Sequence, residues 1–374
     1  MVTNSKSTAY RTRRPGQTGG PTCVALLLAM LLTAGCAGPG YYAQAVAGQW
    51  KMLRSREDIS ALLANGRTDP DLARRLETIQ RIRTFAQDRL ALPAADSYTT
   101  FVHTGRDAAT WNVVAAPEFS LKPRRWCFIV AGCVPYRGYF KEDAARRFAA
   151  KMSRRGDDVA ISPAVAYSTL GWFDDPVLDT MLDYPEEQIA GLLFHELTHR
   201  KLYIKGDTAF NESYASFVEE TGVRLWLKRS GNSDRLRAWR HRAQAETQFN
   251  RLTREARDRL ARIYASEAPA ETMRVEKSEV LDALKIAYAR LVSDDWGGRN
   301  YFAGWMDKNV NNAGLALLDS YRGGMCAFAD LYRQASHDME RFHALAMQKA
   351  DLPAAKRRAW LEQPCGVIAP DGDL

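Results

Sequence analysis

The spacing of apolar residues divides the chain into helical stretches around a short strand-rich region. Between residues 41 and 92, apolar side chains recur at steps of three and four, the period of an amphipathic helix. An Asn-Gly pair at 65–66 and an Asp-Pro pair at 69–70 interrupt this pattern, which predicts at least two helices. Between residues 97 and 140, short apolar runs bounded by turn residues replace it, which predicts strands of a small sheet.

The rest of the chain has mainly the helical period. After a helix over 141–155 and a strand through 159–169, a helix begins near Asp183, where Pro185 suits the first turn. Four further helical stretches follow, at 212–230, 233–265, 272–293 and 312–348. Helices around a small mixed sheet, followed by a mostly helical C-terminal half, predict an α+β fold.

Composition and charge favour a globular protein and argue against a nucleic-acid partner. Hydrophobic residues make up 46% of the 374 residues, enough for a buried core. Half of the formal net charge of +8 lies in the first 35 residues, which contain four basic side chains and no acidic ones. Elsewhere basic and acidic residues alternate on helical stretches, a pattern typical of solvated helix faces and not of a phosphate-binding track.

The first 36 residues have the parts of an export signal. Three arginines precede an apolar run over residues 23–32, about half of the ~20 residues that a membrane-spanning helix needs. The ending Leu-Thr-Ala-Gly-Cys at 32–36 resembles the lipobox of bacterial lipoproteins, with Thr33 where that pattern usually has Leu. The resemblance implies acylation of Cys36, and simple secretion with cleavage nearby is the alternative.

This lipobox resemblance implies a location and an organisation of the chain. Ala37 after the cysteine implies a lipid anchor in the outer membrane, with the protein in the cell envelope facing the periplasm. We expect a signal peptide at 1–35, a helical segment at 36–96, a sheet with the metal-binding helices at 97–230, and a helical region at 231–374 packed on the catalytic part.

Four cysteines remain after the signal and Cys36 are set aside. An even number in an exported chain indicates disulfides, and a Cys-based zinc site is weakly supported because no CxxC spacing occurs. The short loop between Cys127 and Cys133 favours a local pair, which leaves Cys326 for Cys365.

The segment His195-Glu196-Leu197-Thr198-His199 contains an HExxH motif. On a helix, two histidines four positions apart lie on one face and can both bind one Zn²⁺. Glu196, one position along, can instead reach the open coordination position, where a general base takes a proton from water. This pattern predicts one catalytic zinc ion per chain.

A third zinc ligand is expected downstream, where two glutamates compete. The stretch at 210–219 resembles the second-helix signature of the gluzincins, particularly the membrane alanyl aminopeptidases, and this match implies Glu212. Glu219 is the rival, because its separation from His199 is near the spacing familiar in thermolysin-like enzymes. The two glutamates lie two helical turns apart, too far to share one ion on a regular helix.

A likeness over residues from about 41 to 361 is carried by segments at 111–119, 133–140, 166–173, 195–212 and 311–321. On these segments the chain resembles a family of bacterial lipoproteins known as putative aminopeptidases. The resemblance implies a gluzincin-like fold, a peptide substrate and a Tyr321 hydroxyl that stabilises the oxyanion, with Tyr288 as a second candidate. By the same analogy the strand Tyr167, Ser168, Thr169, Leu170 and Gly171 pairs with the substrate backbone, or is an ordinary sheet strand.

The aminopeptidase activity is inherited from the resemblance. An aminopeptidase needs an acid that binds the substrate's free amine, and Glu118 and Glu219 are candidates for this acid. A zinc endopeptidase of the cell envelope is therefore one alternative. A non-catalytic envelope lipoprotein with the same fold is another, although the intact set of His195, Glu196, His199 and Glu212 argues against it.

Overall fold

Helices and short strands alternate through the first half of the chain, and helices follow in the second half. The computed structural model describes residues 39–128, 132–166, 174–318 and 324–363, and shows the predicted α+β class. The helices of the first half are α1 (Pro39–Arg54), α2 (Ile59–Ala64), α3 (Pro70–Leu90), α4 (Glu142–Ser153), α5 (Asp179–Leu182), α6 (Glu186–Lys201) and α7 (Thr208–Arg229). Those of the second half are α8 (Ser233–Tyr264), α9 (Ala270–Arg290), α10 (Ala303–Lys308), α11 (Asn312–Leu318), α12 (Met325–Gln334), α13 (Met339–Ala350) and α14 (Ala354–Leu361).

The described strands form small separate sheets and not the single mixed sheet that the sequence predicted. They are β1 (Glu57–Asp58), β2 (Thr100–Val102), β3 (Thr110–Pro117), β4 (Trp126–Phe128), β5 (Gly132–Val134), β6 (Arg137–Tyr139), β7 (Asp157–Ala164) and β8 (Val177–Leu178). Strand β3 pairs antiparallel with β6 and β7, while β2 pairs antiparallel with β1 and parallel with β8. Most of these strands have two or three residues, too few to extend one continuous sheet.

The structure contains the local disulfide expected from the sequence. Strands β4 and β5 form a hairpin in which Cys127 and Cys133 are opposite residues and are joined by a disulfide, so this prediction is confirmed. Cys326 is also disulfide-bonded, and its predicted partner Cys365 lies outside the described residues, as do the signal sequence and Cys36. Among the described residues, no helix combines the length and the apolar character needed to cross a membrane.

Helix α6 is buried along most of its length and packs lengthwise on α7. Its N-terminus follows Pro185, and Glu186 and Glu187 occupy the first turn, where a carboxylate is favourable. Arg235 from α8 forms ion pairs with both of these carboxylates. Leu193, Phe194 and Leu197 are completely buried against α3 and α7, so the HExxH helix is fixed within the main core.

The stretch predicted as helical at 312–348 is divided between α11, α12 and α13. Helix α12 ends at Gln334, and Ser336 and His337 beyond it have positive φ angles of 55° and 63°. Asp338 then caps α13 by accepting a hydrogen bond from the Arg341 amide. Periodicity alone did not predict this turn, because left-handed backbone at non-glycine residues is uncommon.

His343 on α13 provides a buried link between three helices. Its ring is 1% exposed, Nε2 lies 2.7 Å from the Leu90 carbonyl oxygen, and the Tyr214 hydroxyl lies 2.5 Å from Nδ1. The neutral ring fits both bonds, with Nε2–H donating to the carbonyl and Nδ1 accepting from the hydroxyl. Burial lowers the pKa of His343 from 6.5 to about 4, and the hydrogen bond to Leu90 opposes this only partly.

The low pKa of His343 predicts a loss of stability in acid. Unfolding returns the ring to its ordinary pKa, so the unfolded chain binds a proton that the folded chain does not. Stability from this residue is therefore complete above about pH 6.5 and falls as the pH drops towards 4, by about 3 kcal/mol in total. Urea unfolding of wild type and His343→Gln at several pH values between 7.5 and 4 gives the free energy of unfolding of each protein as a function of pH. The variant should lose less stability over that range, and an identical loss in both proteins would contradict the prediction.

Candidate metal centre

Helix α6 brings the two histidines of the HExxH motif together on one face. The Nε2 atoms of His195 and His199 lie 3.2 Å apart, and the ring centroids are 4.9 Å apart with the planes nearly perpendicular. Both side chains are largely buried. Two ring nitrogens that converge in this way can contact one small ion between them.

Helix α7 supplies a carboxylate to the same point. Glu212 Oε2 lies 3.3 Å from His195 Nε2, and Glu212 Oε1 lies 3.7 Å from His199 Nε2. Ligand atoms of His195, His199 and Glu212 all lie within 4.8 Å of one another, and this set could hold a metal ion; we call it the metal cluster. These are the three residues that the sequence predicted as ligands.

The short connection between α6 and α7 is fixed by the residue before Glu212. The Asn211 side chain accepts a hydrogen bond from the Ile204 amide and donates one to the Ile204 carbonyl, each 2.8 Å long. Gly206 has a φ of +84°, which favours glycine, and Asp207 caps α7 by accepting from the Phe210 amide. Asn211 therefore fixes the turn between α6 and α7, and Glu212 next to it supplies the carboxylate of the metal cluster.

Glu219 contacts His195 from the opposite side of the ring. Its Oε2 lies 3.0 Å from Nδ1, whereas Glu212 approaches Nε2. A carboxylate on Nδ1 holds the proton on that nitrogen and leaves the Nε2 lone pair free for a metal. Glu219, the rival third ligand, thus occupies the position of a second carboxylate that orients a ligand, two helical turns beyond Glu212 on α7.

The metal cluster favours positive charge. Burial opposes a charge on His195, but the hydrogen bonds that its ring donates to Glu212 and Glu219, together with the charges of Glu219 and Glu196, outweigh burial and raise its pKa to about 10. The pKa of His199 falls to about 4, first because of burial and then because of the neighbouring positive His195. The negative charges of Glu196 and Glu219 beside the metal cluster therefore favour a cation at this point, and a divalent metal ion would supply one.

Gly191 permits the approach of Glu219. It lies one turn before His195 on α6, and a Cβ atom placed there would lie 3.1 Å from Glu219 Oε1 and 3.3 Å from its Cγ. An alanine would therefore require the Glu219 side chain to shift by a few tenths of an ångström, which strains its bond to His195 Nδ1.

We expect Gly191→Ala to weaken metal binding roughly tenfold, the lower end of the effect of losing such an orienting partner. Competition with a chromophoric chelator measures the affinity. Gly304→Ala in α10 is the matched control, because nothing lies within 4 Å of a Cβ at that position. Equal affinities in the two variants would show that Glu219 does not depend on the space at Gly191.

Tyr98 is a residue near Glu196 that the sequence did not predict. It is 2% exposed with a φ of +61°, and its backbone is held by a 2.7 Å bond to the Asp175 carbonyl and a 2.8 Å bond from Gln80. Burial, followed by the negative charges of Glu196 and Asp175, raises the pKa of Tyr98 well above its ordinary value. The hydroxyl therefore stays protonated near Glu196; no motif surrounds this tyrosine, so the sequence offered no signal.

Arg200 ties the end of α6 to the segments on either side of the site. It follows His199 directly, donates to the Ser97 hydroxyl at 2.5 Å and forms a 3.0 Å ion pair with Asp174. Asp175 in turn donates its amide to the Ser97 hydroxyl at 3.3 Å. This network fixes the backbone around Tyr98 relative to the HExxH helix.

The structure separates other candidate residues from the metal cluster. Tyr288, the second oxyanion candidate, donates to the Asn300 side chain and packs with Phe249 and Trp296 in a different hydrophobic cluster. Glu118 pairs with Arg274, which also lowers the pKa of its carboxyl group. The predicted substrate strand Tyr167–Gly171 and the oxyanion candidate Tyr321 lie outside the described residues.

Comparison with known proteins gives one match. A family model described as "Putative aminopeptidase" matches residues 40–361, which covers most of the chain. No curated protein and no solved structure matches. The match includes the metal cluster, Glu196 and Glu219.

Proposed function

The chain belongs to the Putative aminopeptidase family, and from this we propose that it is a zinc-dependent peptidase that hydrolyses the first peptide bond of substrates with a free amino terminus. The observation that carries the proposal is the convergence of His195, His199 and Glu212 next to Glu196. Family membership supports peptide hydrolysis. The two imidazoles and the carboxylate support zinc binding, and Glu196 supports proton transfer from water. A gluzincin-like relationship belongs to the same proposal, because it rests on the HExxH and Asn-Glu motifs.

The donor set fits Zn²⁺. Two imidazole nitrogens and one carboxylate oxygen are a ligand set of catalytic zinc sites, which keep one position open. His195 and His199 would bind through Nε2, and Glu212 through its carboxylate. Zinc bound there would polarise the substrate carbonyl and lower the pKa of a water molecule.

Glu196 is the residue that we assign to proton transfer. It follows His195 on α6, and its charge acts on both His195 and Tyr98. A carboxylate at this position can take a proton from the attacking water and later give it to the leaving amine. Burial and the charge of Glu196 keep the Tyr98 hydroxyl protonated.

Glu219 and the Arg200 network hold these groups in position. Glu219 fixes the ring of His195 through Nδ1, and its negative charge strengthens the ring as a ligand. Arg200 holds the Ser97 hydroxyl against α6, and the same hydroxyl accepts a hydrogen bond from the Asp175 amide. Fixed geometry matters because small displacements of catalytic groups lower the rate steeply.

The preference for a free amine separates an aminopeptidase from an endopeptidase. Glu118 pairs with Arg274 and Glu219 bonds with His195, so each candidate amine-binding acid already has a partner. Neither acid is therefore assigned to the amine, and the comparison of free and acetylated peptides distinguishes an aminopeptidase from an endopeptidase. The membrane anchor at Cys36 and the periplasmic location are part of the proposal and rest on the lipobox resemblance.

We predict that peptides with a free amino terminus are cleaved at least about a hundredfold faster than the same peptides after acetylation, because the aminopeptidase activity inferred from the family requires binding of the free amine, which acetylation removes. Mass spectrometry of the products identifies the bond that is cut. Internal cleavage of acetylated peptides at equal rates would indicate the endopeptidase. Inactivity of the metal-loaded protein on varied peptides would favour the non-catalytic alternative.

A further inference from the structure

A large cavity lies between α1, the β2 and β6 strands and α4. Its volume is about 790 Å³, within the usual range for ligand pockets. None of the residues that line it belongs to the metal cluster or contacts it in the bonds described above. Apolar and aromatic side chains form much of the wall, among them Tyr41, Met52, Tyr139, Phe140 and Phe148.

The charged side chains around this cavity are all basic. No Asp or Glu lines it, and within the described residues no ion pair joins its arginines and lysines to an acid. His103 at its edge pairs with Asp179, and the Arg106 guanidinium donates to the Phe140 carbonyl oxygen. The basic residues of the lining are Lys51, Arg106, Arg137, Lys141, Arg147 and Lys151.

Arg137 is the buried member of this basic set. Its side chain is 8% exposed, and its guanidinium carbon lies 4.3 Å from the centre of the Tyr41 ring and 4.5 Å from that of Phe148. Its Nε is buried and has no hydrogen-bond partner among the described residues. A buried charge whose donors are incompletely satisfied is costly, and an anion in the cavity would supply the missing acceptor.

The position of α1 in the chain points to the source of the anion. Gly40, at the edge of the cavity, follows Cys36 by four residues, a span of at most roughly 14 Å. With Cys36 acylated as proposed, this span keeps the cavity close to the bilayer surface, where anionic headgroups are available.

We propose that the cavity binds the headgroup of an anionic phospholipid, with the phosphate at Arg137 and the adjoining acyl chains against the aromatic wall. The lipid source of this phosphate rests on the proposed anchor at Cys36, whereas the binding site itself does not. The bound lipid would hold α1 and α4 against the bilayer surface.

The test measures lipid binding without the anchor. The full chain carrying Cys36→Ser is titrated calorimetrically with dihexanoylphosphatidylglycerol below its micelle concentration, with dihexanoylphosphatidylcholine and with glycerol 1-phosphate. We expect the anionic lipid to bind at least about tenfold more tightly than either other probe, because it alone combines net negative charge with acyl chains. Equal binding of both lipids would overturn the charge argument. Equal binding of glycerol 1-phosphate would overturn the lipid assignment in favour of a small free phosphate.

Variants of the basic residues locate the site. Arg137→Gln should weaken binding of the anionic lipid at least about tenfold, because hydrogen bonds to charged groups are among the stronger ones. The exposed pair Arg147→Gln and Lys151→Gln should weaken it without a risk to folding. The matched control is Arg240→Gln with Lys308→Gln, which removes the same charge from α8 and α10.

Unchanged binding in the Arg147 and Lys151 variant overturns the proposal. Because hydrolysis of soluble peptides should be unchanged in this variant, failure of the lipid site and failure of the peptidase assignment are distinguishable.

Discussion

Glu196→Gln is expected to lower kcat/KM for peptide hydrolysis by about a hundred- to ten-thousandfold while the protein keeps its metal. Glutamine has nearly the same shape as glutamate but cannot accept the proton of the attacking water. The ligands on α6 and α7 are unchanged, so metal binding should be retained. Rates on a free-amine peptide and metal content on the same samples measure the two effects.

The matched control for this variant is Glu187→Gln, also on α6. Glu187 pairs with Arg235 at the start of the helix, two turns before the histidines. This change should leave the rate close to that of wild type. A Glu196→Gln protein that is fully active, or a wild type that is equally inactive with full metal loading, would contradict the role of Glu196.

Glu212→Gln and Glu219→Gln should differ in their effect on metal affinity. Loss of Glu212 removes a direct ligand, so we expect the affinity to fall by more than about a hundredfold; loss of Glu219 removes the partner of His195 and should cost about ten- to a hundredfold. The distances support this order, because Glu212 approaches Nε2 of both histidines and Glu219 approaches Nδ1 of His195. Chelator competition at fixed pH measures both constants.

The opposite order would reassign the third ligand. If Glu219→Gln lost its metal and Glu212→Gln kept it, the thermolysin-like spacing would be the better guide. Circular dichroism of both variants checks that the helices remain folded, since Glu212 and Glu219 share α7.

Local sequence patterns predicted the elements of the site better than their arrangement. HExxH predicted His195, Glu196 and His199 on one helix, because spacing along a helix fixes which residues share a face. Glu212 came from a resemblance, since no local rule relates residues on two different helices. The bond between Glu219 and His195 depends on how closely α6 packs on α7 at Gly191. Spacing along the chain does not predict that distance between two helices.

Long-range pairing was the least predictable part of the fold. The strand at Trp111 was predicted, but its pairing with β6 and β7 depends on contacts between residues distant in the chain. Tyr98 lies beside Glu196 through a left-handed backbone held by Gln80 and Asp175, and its neighbours in the sequence give no sign of this. Propensity and periodicity describe local preferences, whereas these features result from tertiary packing.

Anomalous X-ray diffraction from crystals of zinc-supplemented protein at the zinc absorption edge tests the metal centre most directly. The account predicts one peak about 2.0–2.1 Å from Nε2 of His195 and of His199, and at about 2.0–2.2 Å from a carboxylate oxygen of Glu212. The side chain of Glu219 should remain on Nδ1 of His195. An active protein with no peak between these three residues, or with its peak at Glu219, would contradict the account.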